Sequence, residues 1–227
     1  MTRDTMPRPL IYLLYNFLLP VALVLGLPSF LIKGLRRGGL ARHFFQRLGF
    51  FSSETLSRFR GRKPLWIHAV SVGEVFLALK LIEALRETSP ERPIVLSTTT
   101  TTGYRVAAEK ESDLLTVIHN PVDLPWISWQ VLRTIDPCAL LLVEAEIWPN
   151  LVALAKRRGI PVLLANARLS PRSERRYRKA RAFVAPVFSL LDGVTVPFGE
   201  DVTRWSGLGI DPETILVTGS VKFDQAG

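Results

Sequence analysis

The sequence has one cysteine, Cys138, so it holds no intramolecular disulfide framework, which fits a reducing compartment. Cys138 lies in an apolar run and reads as a small buried hydrophobe. Histidines number only three, and they form no pattern: His43 is in a basic connector, His68 inside an apolar run and His119 at the end of another. No Ser-His-Asp order or Cys-His pair can be assembled from them, and each reads as structural. A Gly-x-Gly-x-x-Gly after the first apolar run of the globular part is missing, and so is a Walker sequence, so no dinucleotide or phosphate-loop fingerprint is supported. Charge is also missing in two places. Leu10 to Ile32 has no charged residue, and Lys33 to Ser53 has no acid.

With 227 residues and 48% hydrophobic content, the chain can bury a real core, which excludes disorder. The net charge of +9 calls for an acidic partner: nucleic acid, anionic lipid or a phosphorylated substrate. Distribution separates these. Lys33, Arg36, Arg37, Arg42 and Arg47 directly follow the uncharged stretch, an arrangement that favours a membrane surface with anionic lipids. The second basic cluster, Arg172 to Phe183, contains no row of stacking aromatics, so no nucleic-acid partner is expected.

Leu10 to Ile32 is 23 residues long, which at about 1.5 Å per residue covers roughly 34 Å, enough to cross a bilayer core. Pro20, Gly26 and Pro28 interrupt it, and a proline inside a helix removes a backbone hydrogen bond. If Pro28 ends the helix, the remaining 18 residues are borderline for a span and reasonable for an interfacial anchor. The basic flank follows the apolar segment instead of preceding it. That disfavours a cleaved signal peptide and places everything after the flank on the cytoplasmic side of the membrane. Residues 1–50 are therefore expected to be a membrane anchor with its basic flank.

From residue 51 the chain alternates short apolar runs with longer amphipathic ones, the signature of βαβ units. Strands are predicted at Leu65 to Val70, Ile94 to Thr98, Leu115 to His119, Ala139 to Glu144, Val162 to Ala165, Gly193 to Val196 and Ile215 to Thr218. The intervening helices are predicted at Val75 to Thr88, Gly103 to Glu109, Pro125 to Ile135, Pro149 to Arg158, Ser173 to Leu190 and Glu200 to Leu208. Asp123 is placed to cap the helix beginning near Pro125, and Gly159 with Pro161 gives a helix stop before a strand. The expected fold is α/β: a doubly wound, mostly parallel, Rossmann-like sheet. Such sheets bind ligands outside the carboxyl ends of their strands.

The residues collected at those ends are polar, small and charged. They are Ser71, Gly73 and Glu74 after the first strand, the threonine run ending at Gly103 after the second, and Glu144 and Glu146 after the fourth. Asn166 and Arg168 follow the fifth strand, and Ser220 and Lys222 the last. Glu74 sits where a helix N-terminus favours a carboxylate, which an ordinary first-turn acid would also do. Glu144 and Glu146, at alternate positions leaving an apolar strand, would project to the same side and face a site or a cation. No His or Asp stands beside them at ligand spacing, so no metal site is expected. Thr102 is a candidate helix cap, and the threonine run is also a candidate hydroxyl-rich cradle for sugar or phosphate.

The segments HAVSVGE, TTTTTG, EAEIWPN, ANARLS and TGSVKFD, in this order behind an apolar N-terminus with a basic flank, closely resemble the 3-deoxy-D-manno-octulosonic acid (Kdo) transferase family. The resemblance runs through almost all of the chain. It implies an inner-membrane glycosyltransferase of the two-domain GT-B architecture, needing no cofactor, that moves Kdo from CMP-Kdo to a lipid A precursor, lipid IVA, during lipopolysaccharide synthesis. It further implies that Glu74 is the general base, that Glu144 and Lys222 stabilise the transition state, and that the substrate is bound around Ser71, Gly73, Thr98, Thr102, Gly103, Glu146, Asn166, Arg168 and Ser220. On this basis residues 51–227 are the Rossmann-like acceptor-binding domain of the enzyme, and the domain that holds the nucleotide is expected to lie beyond this chain. Two alternatives stay open: a non-catalytic glycolipid-binding module at the membrane surface, and a GT-B glycosyltransferase using a different nucleotide-sugar donor.

Overall fold

The computed structural model describes residues 8–36, 44–145 and 147–219, the side chains at 27 and 29–36 excepted. Seven strands form one parallel sheet: β1 (Leu65–Ala69), β2 (Ile94–Thr98), β3 (Leu115–His119), β4 (Ala139–Val143), β5 (Val162–Ala165), β6 (Gly193–Val196) and β7 (Ile215–Val217). They lie in the order β3-β2-β1-β4-β5-β6-β7. The order reverses between β1 and β4, and that switch point is where doubly wound sheets open a crevice for ligands.

Alternation along each strand divides the apolar side chains between two cores. Ile67 and Ala69 of β1 pack with Val75, Ala78 and Ile82 of α3 (Val72–Thr88) on one face of the sheet. The helical spacing of those three positions makes them a stripe. Trp66 of β1 and Leu140 and Leu142 of β4 join the other core, with Ile127, Val131 and Ile135 of α5 (Pro125–Ile135) and Leu151, Val152 and Ala155 of α6 (Pro149–Arg157). The remaining helices are α2 (Ser53–Phe59), α4 (Thr101–Ala108), α7 (Pro171–Lys179), α8 (Arg181–Phe188) and α9 (Gly199–Ser206).

The N-terminal helix α1 runs from Arg8 to Arg36, through both Pro20 and Pro28, so neither proline ends it. Each removes one backbone bond, and the turns on either side supply the rest. Its Arg8–Gly26 part is long and apolar enough to cross a membrane by length and composition. One face of α1 docks on the α/β unit: Ile11 is buried, the Tyr15 hydroxyl donates to Asp123 Oδ2 at 3.0 Å, and Asn16 exchanges amide hydrogen bonds with Asn150.

Other departures from the sequence-based expectation have local causes. Asp123 does not cap α5, whose N-cap Leu124 makes no side-chain bond. Its carboxylate instead accepts the Asn150 and Leu151 N–H groups at 2.9 and 2.8 Å and so caps α6 from a distant loop. Likewise Thr100, and not Thr102, caps α4, accepting the Gly103 N–H at 3.0 Å. The single helix expected over Ser173 to Leu190 is two helices that meet at Ala180, because the exposed, charged α7 and the buried, apolar α8 face different surroundings. Cys138 is half-buried, not buried, just before β4, at the N-terminal ends of the strands and away from the carboxyl-end crevice.

Candidate active site

The first turn of α3 builds the position of Glu74. Ser71 is the N-cap, its Oγ accepting the Glu74 N–H at 3.3 Å, and the Glu74 carboxylate reaches back to accept the Val70 N–H at 2.8 Å. Ser-Val-Gly-Glu is thus a capping box whose carboxylate reaches past the cap residue Ser71 to the Val70 N–H. The Val70 carbonyl is held as well: Thr98 Oγ1 and the Thr100 N–H both donate to it at 3.3 Å. The β2–α4 loop therefore clamps the peptide that carries Glu74. Gly103 permits this closeness, because a Cβ there would stand 2.7 Å from Thr98 Oγ1 and 2.8 Å from Thr100 Oγ1. Gly73 is exposed beside the same turn, with nothing nearer to an added Cβ than Ser71 Oγ at 3.9 Å.

Glu74 is buried, and burial raises its carboxyl above the usual value. The Val70 and Ser71 bonds lower it in part, and the charge of Glu144 raises it further. Glu144 directly follows β4, the strand that pairs with β1, so the two carboxylates flank the switch point of the sheet. Together with Arg168, Ser170 and Ser173 they line a cleft of about 540 Å³. Glu144 has a left-handed backbone (φ 61), so strand alternation stops at Val143 and does not set its direction. Asn166 (φ 51) repeats that conformation after β5. Positive φ at a non-glycine residue stores strain, and Lys63 and Asp136 share it at sites away from this cleft.

Asn166 is itself buried, and among the described residues neither its Oδ1 nor its Nδ2 has a hydrogen-bond partner. A buried amide with no partner costs free energy, and a polar ligand at the strand ends would relieve it. Arg168 is half-buried in the cleft and forms no ion pair with any described residue, so it can offer its charge to a ligand.

The structure thus brings Glu74, Glu144 and Arg168 together around one cleft. Ser71, Thr98 and Gly103 act on it through the Val70 clamp, and Thr102 is exposed on the first turn of α4. Glu146, Ser220 and Lys222, and with them His43, Arg37 and Arg42, lie outside the described residues. Among the described residues, no group of three or more His, Cys, Asp or Glu side chains is placed to hold a metal ion.

One pair that supports the site was not singled out from the sequence. Trp148 Nε1 donates to His68 Nε2 at 3.0 Å, so the proton on the neutral His68 ring is on Nδ1, which donates to Ser97 Oγ at 2.9 Å. Ser97 Oγ also accepts from Trp66 Nε1 at 2.8 Å. Burial pushes His68 down to about 4, so the ring stays neutral and able to accept. This chain of bonds ties the loop after Glu144 to the interior of β1. Its bonded pairs are 29 to 80 residues apart in sequence, beyond the reach of any local pattern.

The strand order makes this a Rossmann-like α/β unit, with two carboxylates flanking its switch point and an arginine after β5 lining the same cleft. The chain belongs to the 3-deoxy-D-manno-octulosonic-acid transferase (kdotransferase) family, whose model matches residues 42–225. It is 32% identical over 179 residues to the 3-deoxy-D-manno-octulosonic acid transferase of Haemophilus influenzae, covering 79% of this chain and 41% of that protein. With the transferase of the same name from Chlamydophila psittaci it shares 33% identity over 211 residues, 92% of this chain and 48% of the relative. With that of Bordetella pertussis it shares 36% over 171 residues, 72% of this chain and 38% of the relative. The chain therefore spans less than half the length of these relatives. Among solved structures, a putative UDP-N-acetylglucosamine 2-epimerase from Listeria monocytogenes shares the fold, with a TM-score of 0.50 and 15% identity, covering 70% of this chain and 45% of that one.

Proposed function

We propose that this chain is the acceptor-binding part of a glycosyltransferase that moves Kdo from CMP-Kdo to a lipid A precursor, lipid IVA, in lipopolysaccharide synthesis. The donor would be held by the part of the relatives that this chain does not cover. The observation that carries the reading is the pair of carboxylates flanking the switch point, with Glu74 buried, held by the Val70 N–H and raised above its ordinary value by burial.

In this reading Glu74 takes the proton from an acceptor hydroxyl as its oxygen attacks the anomeric carbon. The new C–O bond forms as the bond to the CMP phosphate breaks, and the electron pair leaves on the phosphate. A carboxyl raised above its ordinary value holds a transferred proton better than an unperturbed one. One base and no covalent intermediate suffice for inversion. Arg168 and Lys222 are suited to offset negative charge on the phosphates of either substrate, and the charge of Glu144 adds to the burial that raises Glu74. The domain organisation follows: residues 1–50 anchor the enzyme at the cytoplasmic face of the inner membrane, and residues 51–227 present the acceptor.

The test is transfer by the enzyme containing this chain, with CMP-Kdo and other nucleotide sugars offered in parallel to the lipid acceptor. Transfer from CMP-Kdo that vanishes in Glu74→Ala supports the reading. A preference for another donor, or full activity in Glu74→Ala, overturns it.

A further inference from the structure

We infer that the apolar groove between α1 and α8 holds one acyl chain of the lipid acceptor, its anionic head lying on α7 and its reacting hydroxyl in the carboxylate cleft. The inference rests on the acceptor reading above. The groove, of about 480 Å³, is lined by Leu14 and Leu18 of α1, Trp148 of the loop before α6, Tyr177 of α7, and Val184 and Val187 of α8. Groove and cleft share a wall. The Tyr177 ring lines the groove, and its hydroxyl donates at 3.4 Å to the carbonyl of Ala145, which lines the cleft next to Glu144.

The surfaces at either end match the two parts of such a lipid. Leu10, Leu13, Phe17, Val21 and Val24 are exposed at helical spacing along α1, so an apolar stripe runs beside Leu14 and Leu18. A chain leaving a membrane along that stripe reaches the groove with its methylenes kept from water. On the other side, α7 exposes Arg172, Arg175, Arg176 and Lys179, none of which forms an ion pair with a described residue. Its sole acid, Glu174, is taken up by Arg178 at 2.9 Å and Arg204 at 3.6 Å. These four cations share the solvent-facing side of α7, whose inner side carries Ser173 on the cleft and Tyr177 on the groove, so the phosphates of a lipid head would lie along the outer side of that helix.

The test uses the enzyme containing this chain, in vesicles, with a lipid A precursor that carries a diazirine at the end of one acyl chain, and phosphatidylglycerol with the same label as control. Photolysis is expected to label Leu14, Leu18 or Val184 at least tenfold above the control. Filling the groove with Leu18→Trp or Val184→Trp is expected to reduce that labelling. It should also narrow the kcat/KM advantage of the acylated acceptor over a deacylated, water-soluble one by roughly tenfold, since each displaced methylene is worth about fourfold. Leu18 is half exposed, so its variant tests the groove even if Val184→Trp does not fold. Labelling confined to Leu13, Phe17 and Val21, or an unchanged acceptor preference in Leu18→Trp, overturns the groove and leaves the proposed function standing. Labelling that never exceeds the phosphatidylglycerol control overturns the acceptor reading, and this inference with it.

Discussion

Glu74 is buried and closes the first turn of α3, and its proposed role as base shares the bond to the Val70 N–H with that capping role. That makes Glu74→Gln informative, because the amide oxygen can still accept from Val70 while the group can no longer take a proton. A kcat loss of about 10²- to 10⁴-fold, with KM little changed, is expected from steady-state kinetics. Gly103 tests the clamp behind it. In Gly103→Ala the new Cβ meets two threonine oxygens inside normal contact, so one must move, at a cost of about 1–3 kcal/mol in urea unfolding. The Glu74 position was legible from strand-end logic, since an acid in Ser-x-x-Glu after an apolar run had to lie at a helix start. The direction of Glu144 was not, because its left-handed backbone replaces the alternation that spacing implies.

At the scale of elements, Asp123 joins three of them: it caps α6, accepts from Ser128 of α5 at 3.0 Å and accepts from Tyr15 of α1. Replacing it by Ala leaves two amides of α6 and two hydroxyls without their acceptor, and about 3 kcal/mol of stability is expected to be lost in chemical unfolding. Burial pushes its carboxyl up to about 6, against the four donors that lower it. With the folded value raised, the stability this group contributes is complete below its unfolded value and is lost as pH rises through about 6. Between pH 7 and pH 5 the wild type should therefore gain stability relative to Asp123→Asn, where the group no longer titrates. Strands β2, β3, β5 and β6 coincide with the limits read from apolar runs and turn residues. Asp123 was assigned to the nearest helix in sequence because a cap reaching 27 residues along the chain leaves no local pattern.

For the whole molecule, the strand order places the first and fourth strands side by side and so brings together two carboxylates 70 residues apart. The exposed apolar stripe of α1 and the outward cations of α7 are surfaces suited to an anionic lipid layer. Serine at Leu13, Phe17 and Val24 is expected to release the protein from anionic vesicles in a flotation assay while the α/β core keeps its unfolding midpoint, since these side chains are exposed. Family and fold class could be read from motif order and the alternation of apolar runs, and so could a long apolar helix at the N-terminus. The cleft could not, because it exists only once the parallel order is assembled. The most direct test of the account is the pH dependence of a single turnover of Kdo transfer, measured for wild type and Glu74→Gln. The account predicts a wild-type rate that falls as pH drops through a value above the ordinary carboxyl range, and a slow rate without that inflection in the variant. The same inflection persisting in Glu74→Gln would contradict it.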